Sequence, residues 1–264
     1  MDVWTGNAQE LVKNKTCEFS QVIGCRDDIM VYLSYHGLKP LDAFKIMEFV
    51  RKGRATKDPE TWKKWEAKMK EANIADWYIE SCHKIKYMFP KAHACAYVMS
   101  ALRIAWFKMY HPIWYYAAFF SVRIDDFDTV SMIKGKEAIR ERLEEISNKG
   151  YEATNKENSI SESLKVALEA SCRGIKFAPI DLNKSEALNF IIDEQTNALI
   201  PPFRTIDGLG DTVAKTIVEA RKEQPFLSKD DLQTRGKVSK TLMDKMDEMG
   251  ILQGLPESNQ LSLF

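Results

Sequence analysis

The sequence predicts a mainly α protein: a helical first part, then a second helical part that carries one small β-hairpin. Three observations lead there. Apolar residues recur at three- and four-residue spacing through most of the first 120 positions. Breaks between these stretches fall at His36-Gly37-Leu38-Lys39-Pro40 and at His111-Pro112, where Gly and Pro end or restart helices. Only two runs read as strands, 189–192 and 198–200, joined by Asp193-Glu194-Gln195-Thr196-Asn197.

Taken in order, residues 26–35 and 41–51 form the first clear helices, 53–59 a charged loop, and 60–72 and 76–85 two more. The longest helix runs over 90–110. Residues 125–150 are helical and charged, 155–161 read as a polar exposed connection, and 164–172 as another helix. The spacing places a domain boundary near 121–130, giving parts at 1–125 and 126–254, with residues 255–264 as a polar tail.

Composition excludes several classes. Apolar residues are 45% and charged residues 29%, and no apolar run approaches the roughly 20 residues that cross a bilayer. Residues 1–6 lack a basic stretch followed by an apolar one, so no secretory signal is read and a cytoplasmic location is expected, with no membrane partner. The five cysteines form no C-x-x-C pair, which favours reduced thiols; Cys17 and Cys25 as two ligands of a zinc completed elsewhere is the lesser alternative. Net charge is zero, but it is unevenly spread: residues 51–110 hold thirteen Lys or Arg against six Asp or Glu, and residues 121–170 hold eight against eleven.

The long helix carries a polar stripe. With His93 at zero, Tyr97 falls at about +40°, Ser100 at about −20°, Arg103 at about −80° and Lys108 at about +60°. Lys91 sits at its start, where free N–H groups and the helix dipole favour an anion. An amphipathic surface helix would show the same stripe. Yet His93, Tyr97, Arg103 and Lys108 on one face, with Lys91 at the helix start beside a basic loop, also suit a triphosphate or a nucleic-acid strand.

Ile206-Asp207-Gly208-Leu209-Gly210, followed by a helical pattern over 212–222 that includes Lys215, has the form of a helix-hairpin-helix spanning about 203–252. Gly208 and Gly210 would permit a tight turn and bring backbone N–H groups close to a DNA phosphate. Ser228 and the Lys237-Val238-Ser239-Lys240 run start two further helices. A packing module without DNA contact is the alternative. At the end of the chain, Gln260-Leu261-Ser262-Leu263-Phe264 fits a peptide docking in extended form, with Gln260 fixing the backbone and Leu263 and Phe264 filling a pocket, unless these residues fold back on the core. Asp125, Asp126 and Asp128 lack calcium-loop spacing and read as a solvated face or helix start. The four histidines have no paired nucleophile, so no catalytic residue and no metal site are assigned.

The run Lys84-Ile85-Lys86-Tyr87-Met88-Phe89-Pro90-Lys91-Ala92-His93-Ala94-Cys95-Ala96-Tyr97-Val98 resembles the fingers of PolC-type DNA polymerase III alpha subunits of low-GC Gram-positive bacteria. So do Asp27-Asp28-Ile29-Met30-Val31-Tyr32-Leu33, the run Ala43-Phe44-Lys45-Ile46-Met47-Glu48-Phe49-Val50-Arg51-Lys52-Gly53, Ser121-Val122-Arg123, and Leu199-Ile200-Pro201-Pro202-Phe203. Gln260 to Phe264 looks like that family's clamp-binding peptide. Two departures are Cys95, where the family pattern would place Ala, and Trp106, where it would place a less bulky aromatic.

The resemblance implies a helical fingers domain over 1–125, then a helical helix-hairpin-helix domain that binds duplex, then a clamp-binding tail. Lys91, His93, Tyr97 and Arg103 would lie nearest a dNTP or the template. Primer-template DNA, the sliding clamp and other replisome subunits would be the partners. Members of the family hold two magnesium ions on palm aspartates that precede the fingers; no such aspartates are matched here. The expectation is therefore part of a replicative DNA-directed DNA polymerase that binds no cofactor itself and is inactive alone. The rival is a non-enzymatic helix-hairpin-helix module tethered to the clamp; a helical scaffold with no nucleic-acid partner is a third reading.

Overall fold

The computed structural model describes residues 3–258, so Gln260, Leu263 and Phe264 lie outside the described residues. Contacts divide the chain into two compact units, residues 1–103 and 104–264. This division precedes the 125/126 boundary read from the sequence, because the helix after Pro112 sends Tyr116 and Phe120 into the core of the second unit.

In the first unit a short helix, α1 (Gln9–Lys13), precedes α2 (Arg26–Tyr35), α3 (Pro40–Arg51), α4 (Pro59–Glu71) and α5 (Asp76–Lys84). The starts of α2, α3 and α4 have local causes. The Asp28 carboxylate accepts from the N–H groups of Gly24 and Cys25 at 3.0 and 2.9 Å, Pro40 occupies the first turn of α3, and Asp58 accepts from Thr61 N at 3.1 Å. Ile29 and Leu33 on α2 meet Ile46 and Val50 on α3, all fully buried, and Met69, Tyr78 and Cys82 complete the core. Four-residue spacing on both helices makes this one continuous apolar seam.

Glu48 ties the outside of that seam together, accepting from Arg51 at 2.5 Å and Lys52 at 3.1 Å, with Arg26 at 3.5 Å. The bond from Arg51, aided by Lys52, holds its carboxyl down at about 2, against an ordinary 4.5. A depressed folded value means that the stabilisation is complete above about pH 4.5 and is lost as pH falls through about 2. Glu48→Gln is expected to be less stable than the parent at pH 7 and to lose less on acidification. Urea midpoints at pH 7 and pH 3 check this; parallel losses in both proteins would contradict it.

The second unit takes in the end of α6 (Lys91–Tyr110) and contains α7 (Pro112–Val122), α8 (Thr129–Lys134), α9 (Lys136–Asn148) and α10 (Asn155–Cys172). Residues 155–161, read from sequence as a connection, are the first two turns of α10. Thr154 and Glu157 form a reciprocal capping box there, and that local bonding overrides the polar composition. The expected hairpin is β2 (Ile191–Asp193) against β3 (Ala198–Ile200), antiparallel, with Ile192 opposite Leu199. A third strand, β1 (Lys176–Phe177), pairs parallel to β3 on its other side; two residues are too short to show periodicity. Phe120, fully buried, sits among Phe127, Phe177 and Phe190 with ring centroids at 5.6, 5.1 and 5.9 Å, which joins α7 to the sheet.

After β3 come α11 (Asp211–Glu223), α12 (Lys229–Arg235) and α13 (Lys240–Glu248). Their shared core includes Ile206, Leu209, Ile217, Leu232, Met246 and Leu252. Ser228 and Ser239 cap α12 and α13 as the sequence indicates, accepting from Asp231 N and Leu242 N. Among the described residues no helix is long and apolar enough to cross a membrane.

Candidate nucleic-acid interface

The start of α6 is fixed by backbone contacts to α2 and α3. Gly53 has φ +64°, and a Cβ added there would lie 2.2 Å from the Lys86 carbonyl oxygen, so residues 86–89 cross directly over it. Met88 N donates to Arg51 O at 3.1 Å and Arg26 N to Phe89 O at 3.2 Å. Ile85 and Met88 are buried below. Lys91 N donates to Asp27 Oδ2 at 2.7 Å. The anion that the sequence places at this helix start is thus in part supplied by the protein, and one backbone donor there is already taken.

Beyond this anchor the aromatic rings form a ladder. Tyr87 meets Phe89 edge-on at 5.1 Å, Phe89 stacks on His93 at 5.1 Å with 14° between planes, and His93 lies 4.5 Å from Tyr97. Phe89 is 54% and Tyr97 68% exposed. The i, i+4 spacing places His93 and Tyr97 on one face, as the helical wheel requires; Tyr87 and Phe89, which precede the helix, extend the ladder in a way that no helical period shows. Among the described residues Lys91 and Arg103 hold no ion pair, and both are exposed. Lys108, which the wheel adds to the stripe, is instead bonded to Glu169 at 2.7 Å within the second unit. Exposed rings can stack on bases, and exposed cations on the same helix can meet phosphates.

No residue of α6 is buried. The apolar content of this helix suggests a buried back behind the polar stripe, but Leu102, Ile104 and Met109 are exposed too. A helical wheel reports which residues share a face and leaves open whether anything covers it.

In the second unit, Leu209 N donates to Ile206 O at 2.9 Å and closes a turn whose Gly208 has φ +85°. Ile206 and Leu209 plug the core on either side. Gly210 has an ordinary φ of −81° as the N-cap of α11, and a Cβ there would meet nothing within 4 Å. The turn therefore needs Gly208 for its backbone, whereas Gly210 only leaves the surface open. No side chain caps α11. Lys215 is exposed one turn further on and does not line the cavity of about 730 Å³ beside the turn.

Three cations do line that cavity, Lys156, Arg204 and Lys245, together with four acids, Asp125, Asp128, Asp207 and Glu248. Arg204 bridges Asp125 at 2.7 Å and Asp211 at 2.8 Å, offsetting the acid in the first turn of α11. Lys156 donates to Asp125 O and lies 3.8 Å from Asp126. Lys245, from α13, donates to Asp207 O at 3.0 Å and to its Oδ2 at 2.9 Å, and this ammonium lowers the Asp207 carboxyl below the usual range. Sequence reasoning misses Lys245, since 38 residues separate it from Asp207.

The acidic run has structural partners: Asp128 caps α8 through Ser131 N and pairs with Arg142, and Asp126 pairs with Arg123. Among the described residues no group of three or more His, Cys, Asp or Glu could hold a metal ion. Cys17 and Cys25 are free thiols.

The description "Bacterial DNA polymerase III alpha subunit finger domain" matches residues 1–73, and "Helix-hairpin-helix motif" matches residues 174–261. The chain is 59% identical over 263 residues to "DNA polymerase III PolC-type" of Bacillus subtilis, 56% over 267 residues to that of Listeria innocua, and 52% over 263 residues to that of Staphylococcus epidermidis. Each match covers 100% of this chain and 18% of the relative, so the chain spans 18% of the length of these relatives.

Proposed function

Because the chain belongs over its whole length to the PolC-type DNA polymerase III family, we propose that it serves as the fingers and duplex-binding region of a replicative DNA-directed DNA polymerase in the cytoplasm. The observation that carries the duplex-binding half is the Gly208 turn, which leads into an uncapped helix start beside a cavity where Lys156, Arg204 and Lys245 stand among the carboxylates of Asp125, Asp128, Asp207 and Glu248. Backbone donors and an ammonium there meet phosphates without reading bases, as a replicative enzyme needs. The ladder of Phe89, His93 and Tyr97, with Lys91 and Arg103, supports contact with an incoming dNTP or the template. Magnesium belongs, on this reading, to aspartates outside this chain, which alone does not catalyse nucleotidyl transfer. Gln260, Leu263 and Phe264 dock the sliding clamp, and other replisome subunits are further partners.

One experiment tests both ends. Anisotropy of a labelled primer-template duplex is titrated with the 264-residue chain at several salt concentrations. Log affinity is expected to fall with log salt at about 0.9 per phosphate contact, without sequence preference. Removing Leu263 and Phe264 is expected to abolish clamp binding and leave the duplex titration nearly unchanged. Absence of duplex binding by a folded chain would overturn the duplex-binding reading, and equal loss of both activities on truncation would make the tail structural.

A further inference from the structure

We propose that Lys245 is the phosphate-contacting cation of the hairpin, supplied across the fold by α13; this rests on the duplex-binding reading above. The residues that follow the turn, Asp211-Thr212-Val213-Ala214, contain an acid and no cation, and the next lysine, Lys215, does not line the cavity. The ammonium at the turn comes instead from Lys245. A Cβ added at Gly208 would lie 3.9 Å from its Nζ, so the missing side chain leaves the approach to that ammonium open.

The bonding of Lys245 suits exchange of partners. An ammonium has three donors, and two of them go to Asp207, one to the backbone oxygen and one to the carboxylate. The backbone bond holds Nζ at the turn whatever the carboxylate does. The Asp207 side chain is 98% exposed and the Lys245 side chain 39% exposed, so the carboxylate can turn into water while the ammonium stays in place. A phosphate oxygen then takes the vacated donor and the third one. The other two cations are held differently: Arg204 has a carboxylate on each side, and Lys156 is bonded to the backbone of Asp125 beside the Asp126 carboxylate. The Asp207 backbone oxygen thus keeps Lys245 in position, and its carboxylate is the partner that a phosphate replaces.

The salt titration of the 264-residue chain with a labelled primer-template duplex decides this. Lys245→Gln is expected to weaken binding about tenfold at low salt and to reduce the slope of log affinity against log salt by about 0.9, the value of one phosphate contact. Lys245→Arg should keep the parent slope. Lys165→Gln, which removes one exposed charge from α10, is the charge-matched control and should change neither quantity. Asp207→Asn frees the ammonium without removing it, and should bind more tightly than the parent; it keeps the test open if Lys245→Gln melts early by circular dichroism. A parent chain that binds with Lys245→Gln showing an unchanged slope overturns this proposal alone, as does weaker binding by Asp207→Asn. Absence of binding by the parent overturns the duplex-binding reading and this proposal with it.

Discussion

Gly53→Ala is expected to cost the chain on the order of 3 kcal/mol of stability or more, because two penalties meet at one position. The first is backbone strain, since φ is +64° where an L side chain is disfavoured by about 1–2 kcal/mol. The second is steric. The new Cβ would stand 2.2 Å from the Lys86 carbonyl oxygen and 2.8 Å from its carbon, and both are backbone atoms. Relief requires residues 86–89 to lift, which strains the bonds from Met88 N to Arg51 O and from Arg26 N to Phe89 O. Those bonds set the direction in which α6 leaves the core, so the dNTP and template contacts proposed for that helix should weaken together with stability. Denaturant midpoints measure the first effect. A loss under about 1 kcal/mol would show that the crossing segment yields easily and does not hold the helix.

Phe120→Ala should cost about 3–5 kcal/mol, the range for removing a buried aromatic side chain. Phe120 is fully buried, and its ring touches elements far apart in sequence: Phe127 before α8, Phe177 in β1 and Phe190 before β2. Its loss opens a cavity where α7 meets the three-stranded sheet, and the surrounding phenylalanines come from segments too constrained to collapse into it. Phe120→Leu should recover part of the loss, while Val122→Ala, at an 83% exposed position two residues on, should stay within about 0.5 kcal/mol of the parent. A small effect at Phe120 would mean that the sheet does not depend on this cluster.

The helices α2 to α5 of the first unit, the β2–β3 hairpin, the serine caps and the Gly208 turn are legible in the sequence. In each case the causes lie within a few residues: a capping oxygen, a proline at a first turn, a four-residue apolar period, a glycine with positive φ. The face shared by His93 and Tyr97 was legible for the same reason, being one helical turn of spacing. What each of these features meets is set instead by how the chain packs. The fold gave Lys91 N to the Asp27 carboxylate, bonded Lys108 to Glu169, left no residue of α6 buried, added β1 beside β3, and brought Lys245 to Asp207, 38 residues away. Those outcomes depend on contacts between residues tens of positions apart. Local periodicity carries no information about such pairs, because the free energy that selects them comes from burying and pairing surfaces of different elements.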